Sequence, residues 1–233
     1  MKNAPMTEPE YKRRRSNAYR TGASVSLGSY TSSGTVFLRD RLGEVSRGAY
    51  WILPTPHAPY DEFRSRTQPH SDVIIIYSDP RNAFVSLMGK AMRQTSRRNV
   101  RTKMGAHMEH FGYTAAEIEK FEEVPFLETT DPAEWRSTWS QFDGFHRFFN
   151  SWFSSSRPGR TRFIKYECLR DAETLAGLGS FLGLNSGQKE ELSHRIRVKW
   201  IPRESNYQKL DEERQKFLND HFDDLLTVQE RLS

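Results

Sequence analysis

Apolar and polar residues alternate from Ala23 to Tyr30, with Val25 and Leu27 against Ser24 and Ser26, and this spacing of two predicts a β-strand. A Ser/Gly turn follows, and the pattern then changes to the helical period from about Thr35 to Val45. The apolar stripe predicted for this helix consists of Val36, Phe37, Leu42 and Val45. The first part of the chain therefore predicts a strand, a tight turn and a helix in direct succession.

Further strands and helices alternate along the chain. A continuous apolar run over 73–77 predicts a buried strand, and Asp79-Pro80 after it marks a turn and the start of a helix. Later, the segment from Arg162 to Leu169 precedes a helix that ends in Phe181-Leu182-Gly183-Leu184. This alternation predicts an α/β fold, in which a mostly parallel central sheet is flanked by helices on both faces.

Local start signals place more helices in the second half. Thr114 and Glu117 form a capping box, and Asp131-Pro132 combines an N-cap residue with proline at the first helical position. The helix opened at Asp131 is predicted to place its aromatic residues in the core. These residues are Trp135, Trp139, Phe142, Phe145, Phe149, Trp152 and Phe153. A last helix is predicted from Asp211 to Leu226, packed through Leu210, Phe217, Leu218, Phe222 and Leu225.

The chain is predicted to divide into a basic N-terminal arm, residues 1–22, and a single domain, residues 23–233. An Arg-rich segment over 93–101, continued by 103–112, is interpreted either as a lid over a site or as a solvated loop or helix face.

Composition limits the class of protein. The net charge of +5 favours an anionic ligand or partner, such as a nucleotide, an acidic glycan or a nucleic acid. No apolar run approaches twenty residues, so no membrane span is expected, and the polar stretch from Met1 to Arg20 predicts no signal peptide. The single Cys168, expected to be a buried small residue, excludes an intramolecular disulfide and favours a reducing, cytoplasmic compartment.

Five motifs, taken in order, carry a resemblance. They are Ser29–Leu38, Thr55–Tyr60, Ser78–Ser86, Tyr166–Leu169 and Phe181–Leu184. The set resembles the sulfotransferase family that uses 3′-phosphoadenosine 5′-phosphosulfate, whose pattern reads YPKSGTTWL, KTHxPY, RxPxDxxxS, YEDL and FLGL. The resemblance extends from residue 23 to about 226 and implies that family's P-loop-like α/β architecture.

The resemblance also implies a site. The turn would hold the 5′-phosphosulfate on backbone N–H groups, because N–H groups at a helix N-terminus have no partner within the helix. His57 would be the general base, and Ser32 would donate a hydrogen bond to the bridging oxygen of the donor. Glu167 would support the phosphate turn or cap a neighbouring helix. The residues expected to contact the donor are Ser33, Gly34, Thr35, Val36, Ser78, Ser86 and Tyr166.

Three cationic positions of the family are neutral in this chain. Ser32 stands where the family has the lysine at the bridging oxygen, Ser78 where it has the arginine for the 3′-phosphate, and Thr55 where it has the lysine of KTH. Cys168 also replaces the aspartate of YED. The candidate replacement cations are Arg81, Arg197, Lys199 and Arg203.

The sequence thus predicts a sulfuryl transferase that acts, without a metal, on a hydroxyl or amine of a small molecule or saccharide. Two alternatives stay open: a non-catalytic descendant of the fold that binds a nucleotide or anion, and a basic nucleic-acid-binding protein. The latter is disfavoured because no nucleic-acid motif is present. A homo-oligomer is compatible with each of these functions.

Overall fold

The computed structural model describes residues 24–29, 34–45, 51–54, 59–61, 72–94, 103–155, 159–200 and 205–232. Within these ranges the chain forms a parallel sheet with the strand order β2-β1-β3-β4. The strands are β1 (Ser24–Gly28), β2 (Trp51–Pro54), β3 (Asp72–Tyr77) and β4 (Thr161–Lys165). In the register, Leu27 of β1 lies opposite Pro54 of β2 and Ile74 of β3, and Ile75 of β3 lies opposite Phe163 of β4.

Helices connect and cover the strands. They are α1 (Thr35–Val45), α2 (Pro80–Gln94), α3 (Lys103–His110), α4 (Ala115–Glu123), α5 (Pro132–Trp139), α6 (Gly144–Ser155), α7 (Ala172–Phe181), α8 (Ser186–Lys199) and α9 (Glu212–Glu230). Short 3₁₀ helices occupy Tyr166–Arg170 and Tyr207–Lys209. The predicted α/β architecture, a parallel sheet between helices, is confirmed.

Strand β3 has a hydrophobic core on each of its faces. Val73, Ile75 and Tyr77 belong to one buried cluster, together with side chains of α2, α5, α6 and α9. Ile74 and Ile76 belong to the other, together with side chains of α1, α7 and α8. Because a parallel strand is covered on both faces, its sequence is continuously apolar rather than alternating.

The aromatic run forms two helices, so the prediction of one helix from Asp131 is wrong. Helix α5 ends at Trp139, and α6 begins at Gly144. Between them, Tyr113 donates its hydroxyl to Asp143 Oδ1 at 2.6 Å and accepts the Asp143 N–H at 2.7 Å. This contact from a distant part of the chain fixes Asp143 ahead of α6. The aromatic side chains are buried as predicted, except that Phe153 is 47% exposed.

Other boundaries and faces also differ from the predictions. Strand β1 ends at Gly28 rather than Tyr30, and α9 continues to Glu230. Val36, assigned to the apolar stripe of α1, is 60% exposed, whereas Leu38 is completely buried. Cys168, expected to be buried, is half-buried.

The start signals at Thr114 and Asp131 are confirmed. Thr114 and Glu117 form a reciprocal capping box, and the Asp131 carboxylate accepts the Ala133 N–H at 2.9 Å.

The segment 103–112 is a packed helix followed by a turn. Met108 and Phe111 are buried in the core cluster that contains α2. Most of the Arg-rich segment 93–101 lies outside the described residues. None of the helices in the described ranges is both long and apolar enough to span a membrane.

Candidate functional site

The candidate site lies at the carboxyl edge of the sheet. Strand β1 lies between β2 and β3; the connection that leaves β1 leads to β2 and the connection that leaves β3 leads to β4 on the other side, so these two connections diverge at this edge. In parallel α/β sheets, ligands bind in the crevice outside the carboxyl ends of the strands at such a switch point. The segments that follow β1, β3 and β4 meet here.

The segment after β1 forms the turn into α1. Gly34 has a left-handed backbone, with φ +84°, and its carbonyl accepts the Leu38 N–H at 3.1 Å. The Ser29 and Thr35 hydroxyls are 2.5 Å apart, which ties the end of β1 to the first helical residue. Helix α1 begins at Thr35, and the N–H groups of Thr35 and Val36 in its first turn have no acceptor within the helix. This geometry suits an anion.

The segment after β3 is the start of α2. Ser78 is 2% exposed, and Asp79 caps the helix by accepting the Arg81 N–H at 2.9 Å, with Pro80 at the first helical position. Ser86 is half-buried and lies six residues beyond Pro80, about 9 Å along the helix axis. The structure therefore brings Ser78 to the sheet edge and Ser86 to the second turn of α2.

The segment after β4 places Tyr166 directly against the turn. A Cβ atom added to Gly34 would lie 2.2 Å from Tyr166 Cδ2. The Tyr166 ring stacks on Trp200 with 6.0 Å between centroids, and the Phe37 ring meets it edge-on at 6.4 Å. The Trp200 indole N–H also donates to the Tyr166 carbonyl at 3.4 Å. Phe37, Tyr166 and Trp200, called here the aromatic trio, form one wall beside the turn.

Of this trio, the sequence predicts a site role for Tyr166 alone. It predicts Phe37 only as part of the apolar stripe of α1, and it indicates no role for Trp200. Trp200 is the C-cap residue of α8, and neither its type nor its spacing marks it as a site residue. Its contact with Tyr166, from a segment 34 residues earlier, requires the tertiary structure.

Glu167 connects the end of β4 to the start of α2. Although much of the residue is exposed, partial desolvation raises the pKa of its carboxyl group, and hydrogen bonds from its own backbone and that of Asp79 act in the opposite direction. Since Asp79 caps α2, this contact agrees with the supporting role expected for Glu167.

The candidate cations are placed differently from one another. The Arg81 guanidinium donates to both Asp79 oxygens and to Asn219 Oδ1 at 2.7 Å, and it lies 4.7 Å over the Tyr207 ring. The hydrogen bond to Asp79 raises the pKa of Arg81. Its charge is therefore already neutralised by a neighbouring carboxylate.

The two cations of α8 lie on different sides of the helix. Arg197 lines a groove of about 440 Å³ between α7 and α8, whereas Lys199 is exposed and precedes Trp200. Residues Ser32, Ser33, Thr55, His57 and Arg203 lie outside the described residues, so their placement remains a prediction. Among the residues that are described, no group of three or more His, Cys, Asp or Glu side chains is placed to hold a metal ion.

No protein-family model matches the chain, and no curated protein matches it. Among solved structures, the chain is similar to the crystal structure of mouse sulfotransferase SULT7A1 complexed with PAP. The TM-score is 0.44 and the identity is 15%, over 85% of this chain and 75% of that chain. A likeness at this TM-score carries no weight for the fold or the function of this chain.

Proposed function

We propose that the chain binds 3′-phosphoadenosine 5′-phosphosulfate and transfers its sulfuryl group to a hydroxyl or amine of a small-molecule or saccharide acceptor. The observation that carries the proposal is the junction of Gly34 and Tyr166 at the carboxyl edge of the sheet. There, an anion-binding helix N-terminus lies beside an aromatic wall. A nucleotide with a 5′-phosphosulfate presents these two chemistries, an anion and a purine, on one molecule.

The phosphosulfate end fits the backbone of the turn. The N–H groups at the start of α1, which have no acceptor within the helix, and the positive end of the helix dipole both favour an anion. When Ser29 donates to the Thr35 hydroxyl oxygen, the Thr35 O–H is left to donate to the anion from a fixed position. The left-handed Gly34 lets the backbone turn sharply before α1 begins.

The purine end fits the aromatic trio. Tyr166 packs against Gly34 and stacks on Trp200, so a purine would contact the rim of the trio rather than a free face of the Tyr166 ring. Tyr166 is 5% exposed, and both of its ring neighbours come from segments flanking the same edge. Arg170 lies 5.2 Å over the Trp200 ring and adds positive charge on its outer side.

The 3′-phosphate is expected to be held less tightly. Ser78 is neutral and buried, and Arg81 is paired with Asp79. A hydrogen bond to a charged donor is roughly twice as strong as a neutral one, so the 3′-phosphate gains less here than it would from an arginine. We therefore expect adenosine 3′,5′-bisphosphate to bind about 2- to 10-fold more tightly than AMP, the difference that one hydrogen bond from an uncharged donor supplies at about 0.5–1.5 kcal/mol.

In the proposed reaction, the acceptor oxygen or nitrogen forms a bond to sulfur while the bond from sulfur to the bridging oxygen breaks. The bridging oxygen leaves with the electron pair as part of adenosine 3′,5′-bisphosphate. His57 takes the proton of the acceptor, and Ser32 donates a hydrogen bond to the leaving oxygen. No metal takes part in this scheme.

Two measurements test the proposal. Calorimetric titration of the folded chain with adenosine 3′,5′-bisphosphate should show binding, and the absence of heat at millimolar nucleotide overturns it. Transfer of labelled sulfate should then fall by about 10²–10⁴-fold in His57→Ala, the usual contribution of a general base, while nucleotide affinity changes little. Ser32→Lys is expected to raise turnover because it restores a charge at the leaving oxygen.

A second function is favoured by one specific observation. Arg81 is held by Asp79, Asn219 and Tyr207, so the described cation nearest the start of α2 is committed to structure. This arrangement favours a nucleotide-binding protein that no longer transfers sulfate. Nucleotide binding without transfer by the parent chain or by Ser32→Lys, over a panel of hydroxyl and amine acceptors, would identify that function.

A further inference from the structure

A pocket of about 210 Å³, called here the β4 pocket, lies at the outer edge of β4. Ile164 of β4 belongs to the hydrophobic cluster on one face of the sheet, and Phe163 packs against the cluster on the other face. A pocket that contacts both side chains therefore lies beside the strand and not on either face. Strand β4 is the last strand of the described sheet, so this edge has no neighbouring strand among the described residues. None of the described lining residues belongs to the turn before α1 or to the aromatic trio.

Charged side chains of both signs line the β4 pocket together with apolar ones. The charged residues are Arg162, Lys165, Asp171 and Glu173, and the apolar ones are Tyr77, Phe163, Ile164 and Leu232. The two basic residues are half-buried, whereas the two acidic residues are exposed. None of the four charged residues forms an ion pair with another residue in the described ranges. Because these opposite charges do not neutralise each other, a ligand that carries both signs can use them.

Arg162 has hydrogen-bond donors that the described residues do not use. A Cβ atom added to Gly177 of α7 would lie 2.2 Å from Arg162 Nη2 and 2.9 Å from its Cζ, so the guanidinium lies against that helix. Its Nε is buried, and no described residue accepts a hydrogen bond from it, which leaves the two terminal nitrogens to a ligand in the pocket. The planar fork of a guanidinium matches the two oxygens of a carboxylate.

The acidic residues of the pocket stand at the start of α7. Asp171 is the N-cap residue of this helix, but its side chain accepts no backbone N–H there. Burial and the neighbouring Asp171 carboxylate raise the pKa of the Cys168 thiol, and Cys168 also lines the pocket. The Asp171 carboxylate thus faces the pocket and not the helix N-terminus, where it can accept hydrogen bonds from an ammonium group.

We propose that the β4 pocket binds a small α-amino acid with an apolar side chain. The ligand carboxylate binds the Arg162 guanidinium, and the ligand ammonium group faces Asp171 and Glu173. The ligand side chain contacts Phe163 and Leu232. Pockets for drug-sized ligands have volumes of about 300–1,000 Å³, so a pocket of about 210 Å³ takes a smaller molecule. This site goes beyond the proposed function and does not depend on it, because the two ligands contact different residues.

Two variants remove the carboxylate contact in different ways. Arg162→Gln removes the charge, whereas Gly177→Ala keeps the charge and displaces the guanidinium. The guanidinium is the end of a flexible side chain, and alanine is a better helix former than glycine, so Gly177→Ala should not destabilise α7. Each variant should weaken binding of L-leucine by about 10- to 100-fold, the contribution of a hydrogen bond to a charged group.

Each variant has a matched control. Arg160 lies just before β4 and pairs with Asp72 at 3.5 Å, so Arg160→Gln removes a charge near the strand without changing the pocket lining. Gly43 lies in α1, and none of the described residues has an atom within 4 Å of a Cβ added there. Gly43→Ala therefore makes the same helical substitution without a displacement. Both controls should bind L-leucine as tightly as the parent chain.

The experiment is calorimetric titration with L-leucine and with two analogues, L-leucinamide, which lacks the carboxylate, and 4-methylpentanoate, which lacks the ammonium group. Binding of L-leucine at millimolar concentration, and weaker binding of both analogues, is the expected result. Absence of binding by the parent chain overturns the inference, and so does equal binding of either analogue. Unchanged affinity in both Arg162→Gln and Gly177→Ala overturns it as well.

Cys168 reports where the ligand binds. It is the single cysteine of the chain, and it is half-buried in the lining of the pocket. Saturating L-leucine should slow its alkylation by iodoacetamide in the parent chain and in both controls. If L-leucine binds but the rate of alkylation is unchanged, the ligand occupies another site and the inference is wrong. Binding of adenosine 3′,5′-bisphosphate, measured on the same samples, tests the proposed function separately.

Discussion

Replacement of Gly34 by alanine tests the junction on which the candidate site depends. Two separate costs apply at this position. The left-handed backbone disfavours any residue with a Cβ by about 1–2 kcal/mol. The added methyl group would also lie 2.2 Å from Tyr166 Cδ2, so the ring must move.

The cost of moving Tyr166 follows from its surroundings. The ring is 5% exposed and is in contact with Phe37 and Trp200. Insertion of a methyl group into such a site costs about 1–3 kcal/mol. The two costs together lower the free energy of unfolding by about 2–5 kcal/mol for Gly34→Ala. In a chain of this length, each kcal/mol shifts the thermal midpoint by roughly 2–4 °C.

Two other glycines separate the costs. Gly159 has φ +79°, and none of the residues that the structure describes has an atom within 4 Å of an added Cβ, so Gly159→Ala measures the backbone cost. Gly144 has no left-handed backbone, but its added Cβ would lie 2.5 Å from Phe111 Cδ2, so Gly144→Ala measures the contact cost in the core. We expect Gly34→Ala to be less stable than either control in urea-induced unfolding.

The same three variants distinguish function from stability. At a temperature where all are folded, Gly34→Ala should lose at least tenfold in affinity for adenosine 3′,5′-bisphosphate, because the backbone donors and Tyr166 are displaced together. Both controls should retain the parent affinity. If Gly34→Ala is no less stable than Gly159→Ala, then Tyr166 does not cover the turn, and the structural basis of the site is refuted.

Two further predictions concern charge. Burial lowers the pKa of His221 from its ordinary value of 6.5, and its ring nitrogen lies 2.7 Å from the Phe142 carbonyl. As the pH falls through about 6.5, the unfolded chain therefore binds more protons than the folded chain, and the free energy of unfolding should decrease. This decrease should be smaller in His221→Gln. Urea-induced unfolding of both proteins at about pH 7.5 and about pH 5.5 measures the difference. On α8, Lys199 and Arg197 are two residues apart and so point about 200° apart around the helix. Lys199→Gln should weaken binding of adenosine 3′,5′-bisphosphate about two- to fivefold at low salt, whereas Arg197→Gln should not. Equal effects of the two substitutions would show that both cations act only through the net positive charge of the protein.

The order of elements could be predicted from local patterns. The alternation of β1, the apolar run of β3 and the caps at Thr114 and Asp131 each report a conformation that depends mainly on neighbouring residues. The break between α5 and α6 could not, because it depends on the contact of Asp143 with Tyr113 thirty residues earlier. The exposure of Val36 likewise depends on which side of α1 meets the sheet.

Local patterns predict part of the candidate site as well. The turn before α1 follows from strand, Ser/Gly and helix in sequence, and the structure places Gly34 and Thr35 there. Arg81 was proposed as a replacement cation, but its partner Asp79 stands two residues earlier, so the ion pair could have been read from the sequence. The packing of Trp200 on Tyr166 could not, since neither residue type nor spacing indicates it.

The connection from β3 to β4 has a consequence for synthesis. These neighbouring strands pair Val73 with Thr161, and the chain between them carries α2 through α6. At about 5–20 residues per second, a ribosome needs roughly 4 to 17 seconds to make residues 78–160. During that interval, one side of β3 has no strand beside it, while the aromatic residues of α5 and α6 are already made. Helices α2, α5 and α6, which pack on the face of β3 that carries Val73, Ile75 and Tyr77, can therefore contact β3 first. Strand β4 is then the last strand to join the sheet.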